Sequence, residues 1–193
     1  MLSGSAADPR VAHAPVVRPV RSAAGFGLIE LASKSGLRAH VLPSGALYAL
    51  RHRDTLLNQL LPGPAEEGLF RLLVRWRDAS GQLVGWAPLV GPTLDFSHSD
   101  QATWRGGSGE VLAFTTSLCL HPSEAAWAWC VRLRNTSAEV LHLDVLHAQD
   151  LGLADESAVR NNEAYVSHYI DLLPVTDARW GHVILARQNQ PMS

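Results

Sequence analysis

The sequence predicts an all-β protein, an antiparallel sandwich of two sheets, and three observations predict it. Apolar and polar residues alternate at period two in segment after segment between Gly25 and Ala186. No segment carries a sustained helical stripe of about ten residues or more. Clusters of Gly, Pro, Asn and Ser interrupt the alternation at short intervals, too short for parallel crossovers and suited to hairpins.

Residues 1–24 hold Pro9, Pro15, Pro19 and small residues without periodicity, and are expected to be a disordered leader outside the fold. The domain is expected over residues 25–193. Its first hairpin is Leu37-Ala39-Val41 against Ala46 to Leu50 across the turn Pro43-Ser44-Gly45. In Phe70 to Arg77, Phe70, Leu72, Val74 and Trp76 fall on one face and Arg71, Arg75 and Arg77 on the other, so one face is core and one is wet. Asp78-Ala79-Ser80-Gly81 supplies a turn. Leu83 to Val90 returns as a strand whose Pro88 excludes a central place in a sheet.

Three further strands are expected over Glu110 to Leu120, Ala126 to Arg134 and Glu139 to Ala148. In the second of them the bulky set Trp127, Trp129, Val131 and Leu133 alternates with small and then charged residues. One face thus fills the space between sheets while the other meets solvent or a neighbour.

Composition excludes several classes of function. With 193 residues, 47% hydrophobic and 18% charged, the chain can bury one sizeable core. Sixteen basic against eighteen acidic residues, net −2, provide no footprint for nucleic acid and no polybasic membrane patch. No apolar run reaches the ~20 residues of a bilayer span, and the amino terminus lacks the basic-then-apolar order of a secretory signal. The expected compartment is the cytoplasm. Cys119 and Cys130 lie in strand-like segments that could set them facing each other across a hairpin, and in a reducing compartment the favoured expectation is free, buried thiols.

Signatures of nucleophile elbows, phosphate loops, dinucleotide folds and zinc helices are absent from the sequence. The odd spacing of His142 and His147 sets them on opposite faces of one strand, so no metal site is assigned. Asp150, Asp155, Glu156, Glu163 and Asp171 cluster in sequence, but carboxylates at loops and strand ends are common. No catalytic residue is assigned.

Two polar blocks remain as candidate binding elements. Asn161 to Asp171, read as extended chain, aligns Glu163, Tyr165, Ser167, Tyr169 and Asp171 on one side, where aromatic faces can stack on sugar rings and polar groups can hold hydroxyls. A short helix would bring Tyr165 and Tyr169 together equally well, in a structural or interdomain role. Arg187-Gln188-Asn189-Gln190 follows the apolar strand Val183 to Ala186 and suits either an anion and neutral hydroxyls or a polar seam between domains. The candidate substrate-binding residues are Tyr165, Tyr169 and Arg187.

These blocks also carry a resemblance. Gln149-Asp150-Leu151-Gly152-Leu153-Ala154, then Asn162 to Asp171, then Arg187-Gln188-Asn189-Gln190 follow in the order seen in the amino-terminal region of the β-1,2-oligoglucan phosphorylases of glycoside hydrolase family 94. Looser support comes from Leu42-Pro43-Ser44-Gly45, Leu57-Asn58-Gln59-Leu60 and Pro88-Leu89-Val90-Gly91-Pro92. The phosphorylase-like module of cyclic β-1,2-glucan synthases is similar as well. The resemblance implies a β-supersandwich of the galactose-mutarotase-like kind. It further implies that the sandwich is incomplete here and that a catalytic (α/α)₆ barrel is missing.

In intact members of the family, the resemblance implies, inorganic phosphate is the co-substrate and attacks the anomeric carbon, releasing α-glucose 1-phosphate. One carboxylic acid then suffices, and it belongs to the barrel. The chain is therefore expected to be inactive alone and to need no cofactor. Its expected partners are a β-glucan oligosaccharide or the missing barrel, with a homo-oligomeric interface as a further implication. The competing expectations are a free-standing carbohydrate-binding sandwich and a truncated product without independent function.

Overall fold

The computed structural model describes residues 20–21, 27–42, 45–59, 71–91, 94–161, 165–166 and 168–189. Among them run β1 (Val20–Arg21), β2 (Gly27–Ala32), β3 (Leu37–Val41), β4 (Leu47–His52), β5 (Thr55–Leu56), β6 (Arg71–Arg77), β7 (Leu83–Pro88) and β8 (Leu94–His98). They are followed by β9 (Gln101–Ser108), β10 (Leu112–Leu120), β11 (Trp127–Asn135), β12 (His142–Ala148), β13 (Ala154–Asp155), helix α1 (Glu156–Asn161), β14 (Ile170–Asp177) and β15 (Gly181–Gln188). Of the expected leader, only Val20–Arg21 are described, and they pair with Leu28 and Gly27.

The expected antiparallel β-sandwich is what the chain forms. Its strands run in ladders of order β1-β2-β3-β4-β5-β13, β11-β10-β9-β8 and β12-β6-β7, with β14-β15 apart. Three of these converge on one core, built from Leu31, Leu37 and Leu50 of the first, Trp104 and Leu118 of the second, and Val74 and Trp76 of the third. Period-two alternation puts them there. Leu72, Val74 and Trp76 are buried, whereas Arg75 and Arg77 on the other face of β6 ion-pair with Asp144 of β12. Pro88 ends β7, which lies at an edge of its ladder, where a missing N–H costs little.

On β11 the bulky set Trp127, Trp129, Val131 and Leu133 packs against this core, and Trp129 meets Trp104 with ring centroids 5.5 Å apart. The residues between them are exposed. Cys130 is among these, opposite Ser117 and diagonal to Cys119 on the same face of the hairpin. The two thiols are free as expected but not buried, because that face is the outer one: Cys119 is half-buried and Cys130 exposed. Burial and the neighbouring Cys130 raise the Cys119 pKa, which keeps it a thiol.

Gly45 closes the first hairpin at φ 89°, and a Cβ there would collide with the Gly91 carbonyl and stand 2.6 Å from Trp104 Nε1. Two of the looser resemblance segments, 42–45 and 88–92, therefore meet at one glycine. Among the described residues no helix is long and apolar enough to cross a membrane, and no group of three or more potential ligands is placed to hold a metal ion. His142 and His147 pair with Arg77 and Leu72 respectively, on opposite faces of β12.

Candidate functional site

After β12 the chain is tied down residue by residue. The Asp150 carboxylate accepts the Gln59 N–H at 2.6 Å, and the Gly152 N–H donates to the Leu57 carbonyl at 2.9 Å. Leu153, at φ 52°, sits in the left-handed region, where a side-chain-bearing residue costs about 1 kcal/mol or more. β13 then pairs with β5, and Asp155 caps α1 by accepting the Ser157 N–H at 2.8 Å and its hydroxyl at 2.5 Å. Val159 of α1 and Val166 are buried with Ala49 and Leu56 in a small second core.

The tyrosine block beside that core is helical rather than extended. Tyr165 and Val166 are helical and His168 and Tyr169 form a turn, with the His168 N–H donating to the Tyr165 carbonyl. The extended row expected from Glu163 to Asp171 is thus not formed; residues 162–164 and 167 lie outside the described residues. The helical alternative brings the two tyrosines together: their rings are 4.8 Å apart, edge to face, and the Tyr169 hydroxyl donates to that of Tyr165 at 2.5 Å. The same bond raises the Tyr169 pKa.

The third block meets the first two. Gln188 donates its amide N–H groups to the Gly152 carbonyl at 3.2 Å and the Val166 carbonyl at 3.1 Å. The Asn189 N–H donates to the Tyr169 carbonyl at 2.7 Å, and its side-chain amide donates to Asp171. Arg187 stands 3.6 Å from the same carboxylate, opposite Asp171 in the β14–β15 ladder, and is largely exposed. Tyr165, Tyr169 and Arg187 consequently surround the base of this hairpin. Asn58 completes the floor: buried, it accepts the Leu50 N–H and donates to the Tyr48 carbonyl.

The carboxylates here are structural in their contacts. Hydrogen bonds from Ser157 hold the Asp155 pKa down. At Glu156 burial acts upward, but the hydrogen bond from Arg160 and the charges of Arg51 and Arg160 outweigh it and hold its pKa down as well. A general acid for glycosidic oxygen needs the opposite shift.

Sequence reasoning singled out Tyr165, Tyr169 and Arg187 but missed Gln188 as the cross-link, and it missed the hairpin above. β14 and β15 pair only with each other among the described strands. Leu172 and Ile184 are exposed on one face, Leu173 and Leu185 on the other, and Trp180 stands exposed at the turn. A two-stranded ribbon with two bare apolar faces is marginal by itself. The signal was present in Ile170 to Val175, an almost unbroken apolar run of the kind strands show when covered on both faces.

Comparison with known proteins places the chain. Residues 40–193 match the model of the SOGP N-terminal domain. Over 167 residues the chain is 34% identical to a 1,2-beta-oligoglucan phosphorylase from Listeria innocua serovar 6a, covering 86% of this chain. The chain spans 14% of the length of that relative.

Proposed function

We propose, from the premise that the chain belongs to the SOGP N-terminal domain family, that it is the non-catalytic sandwich portion of a cytoplasmic phosphorylase acting on β-1,2-linked glucooligosaccharides. The β14–β15 hairpin and the residues at its base, Tyr165, Tyr169 and Arg187, are the surface against which the catalytic part of such an enzyme sits. One observation carries the reading. Three polar blocks separated in sequence converge, through Gln188, to fix the base of a ribbon whose two faces are apolar and bare.

The chemistry assigned to the intact enzyme is phosphorolysis to α-glucose 1-phosphate with inorganic phosphate as co-substrate. Among the described residues of the carboxylate cluster none is set up as an acid for it. The described carboxylates of the cluster accept hydrogen bonds or pair with arginine, and those whose pKa is displaced are displaced downward. The chain's contribution is to position. Rigid burial of Val159 and Val166 holds the tyrosine pair and the hairpin base in one orientation, and a neighbouring polypeptide then covers roughly four large aliphatic side chains at ~1.5 to 3 kcal/mol each before the entropy of docking is subtracted.

Two measurements test this. Incubated with β-1,2-glucooligosaccharides and phosphate, the chain alone is expected to release no α-glucose 1-phosphate. Turnover that disappears when one of its own carboxylates is changed would refute the non-catalytic assignment. Mixed with the separately produced remainder of the Listeria relative, it is expected to form a complex that Leu173→Lys and Ile184→Lys dissolve. Complex formation indifferent to both substitutions would remove the hairpin from the interface.

A further inference from the structure

A second surface belongs to another ladder, the outer face of β12-β6-β7. Trp86 is 66% exposed there, the only tryptophan besides Trp180 exposed to that degree among the described residues. Register places it directly opposite Arg75, which in turn is directly opposite Asp144, so indole, guanidinium and carboxylate form one row across three strands. The row is held: Arg75 Nε donates to Asp144 at 2.8 Å, and Arg77 approaches the same carboxylate at 3.8 Å. Beside it runs an apolar row, Pro88, Leu73 and Leu146.

We infer that this row is a carbohydrate subsite, taking a glucose unit of a glucooligosaccharide at a place separate from the hairpin base. A pyranose presents an apolar C–H face and a rim of hydroxyls. The bare indole matches the first. One strand spacing away, about 4.8 Å, Arg75 offers donors beyond the Nε–H it gives to Asp144, and Asp144 offers acceptors, which together match the second. The other classes of occupant fit worse. A carboxylate in the row repels the phosphates of nucleic acid or lipid, and a protein partner would have to desolvate the Arg75–Asp144 pair, whereas the hydroxyls of a sugar can hydrogen-bond to both groups. The choice of β-1,2-linked glucan rests on the function proposed above; the site itself does not.

Nuclear magnetic resonance of the ¹⁵N-labelled chain tests it through the tryptophan indoles, with the Trp86 signal identified by its loss in Trp86→Phe. Added β-1,2-glucooligosaccharide is expected to move the Trp86 indole signal and leave that of Trp180 in place. Trp86→Ala should weaken the interaction about tenfold without lowering the melting temperature, since the side chain is exposed. Arg75→Met should weaken it too. If β-1,4- or α-1,4-glucooligosaccharides move the signal and the β-1,2 series does not, the subsite stands and the linkage taken from the proposed function falls. A Trp86 signal that no glucan moves overturns the subsite. So does one that moves only when the remainder of the Listeria relative is added, which would give this face to a protein neighbour.

Discussion

Replacing Gln188 by alanine removes the cross-link between the three blocks and nothing from the main core. Two hydrogen bonds disappear, to the carbonyls of Gly152 and Val166. At about 1 kcal/mol net each, the loss is about 2 kcal/mol. Domains of this size lose ~2 to 4 °C per kcal/mol, so the melting temperature should fall by roughly 4 to 8 °C. Gln188→Glu, of nearly the same shape, should be worse near neutral pH, because a carboxylate would face two carbonyl oxygens. Those oxygens raise the acid's pKa in the folded state above the unfolded value of about 4.3. The penalty is then absent well below about pH 4, where both states are protonated, and grows as pH rises toward the folded-state pKa. Thermal unfolding of both variants from about pH 4 to pH 7, with hydrogen exchange followed in α1, reads all of this. A Gln188→Ala protein that melts with the wild type and protects α1 equally well would refute the cross-link.

Gly45→Ala should cost about 2 to 4 kcal/mol, since the added carbon meets the Gly91 carbonyl and the Trp104 indole, while Gly81→Ala, at φ 84° with nothing within 4 Å, should cost only about 1 kcal/mol; urea unfolding ranks the two, and equal costs would contradict the close approach. Burial lowers the His40 pKa below 6.5 despite its hydrogen bond with Glu30, and burial does the same at His147. The unfolded chain therefore binds these protons first, so stability present above pH 6.5 is lost as pH falls from there toward the folded-state values, and His40→Gln should flatten that loss in urea midpoints taken across the range. The isolated chain should self-associate through its bare hairpin faces, with Leu173→Lys and Ile184→Lys shifting sedimentation toward monomer. A wild-type chain that stays monomeric at high concentration would contradict it.

What the sequence disclosed of the fold is what a local rule can decide. Alternation assigned Phe70, Leu72, Val74 and Trp76 inward; Phe70 lies outside the described residues and the other three are buried. The same rule found the bulky face of β11, and Pro88 found an edge strand. Partition of the strands into ladders was not legible, because the partners of β12 and β6 lie 69 residues apart at Arg75 and Asp144 and no local period encodes that pairing. The thiols were misjudged against the rule of alternation itself. Cys130 alternates with Trp129 and Val131, so the inward turn of the bulky face, where Trp129 meets Trp104 two strands away, leaves Cys130 outside, and Cys119 shares its face.

The tyrosine block sets out the limit most clearly. Tyr165 and Tyr169 fall on one side whether the chain is extended, with side chains alternating, or helical, with neighbours four apart, so pattern alone could not choose between them. The choice is made by contacts at a distance. Val166 is buried with Ala49 and Leu56, more than a hundred residues earlier in the chain, and the turn around it is tied to the end of β15, where Gln188 donates to the Val166 carbonyl and the Asn189 N–H to the Tyr169 carbonyl. Gln188 is invisible for the same reason: 36 residues separate it from Gly152 and 22 from Val166, so within its tetrapeptide it looks like any polar strand end. The sequence therefore displayed the chemistry of the candidate site, aromatic rings, an arginine and amides, and left unstated which of these groups face outward to bind and which turn inward to hold the others.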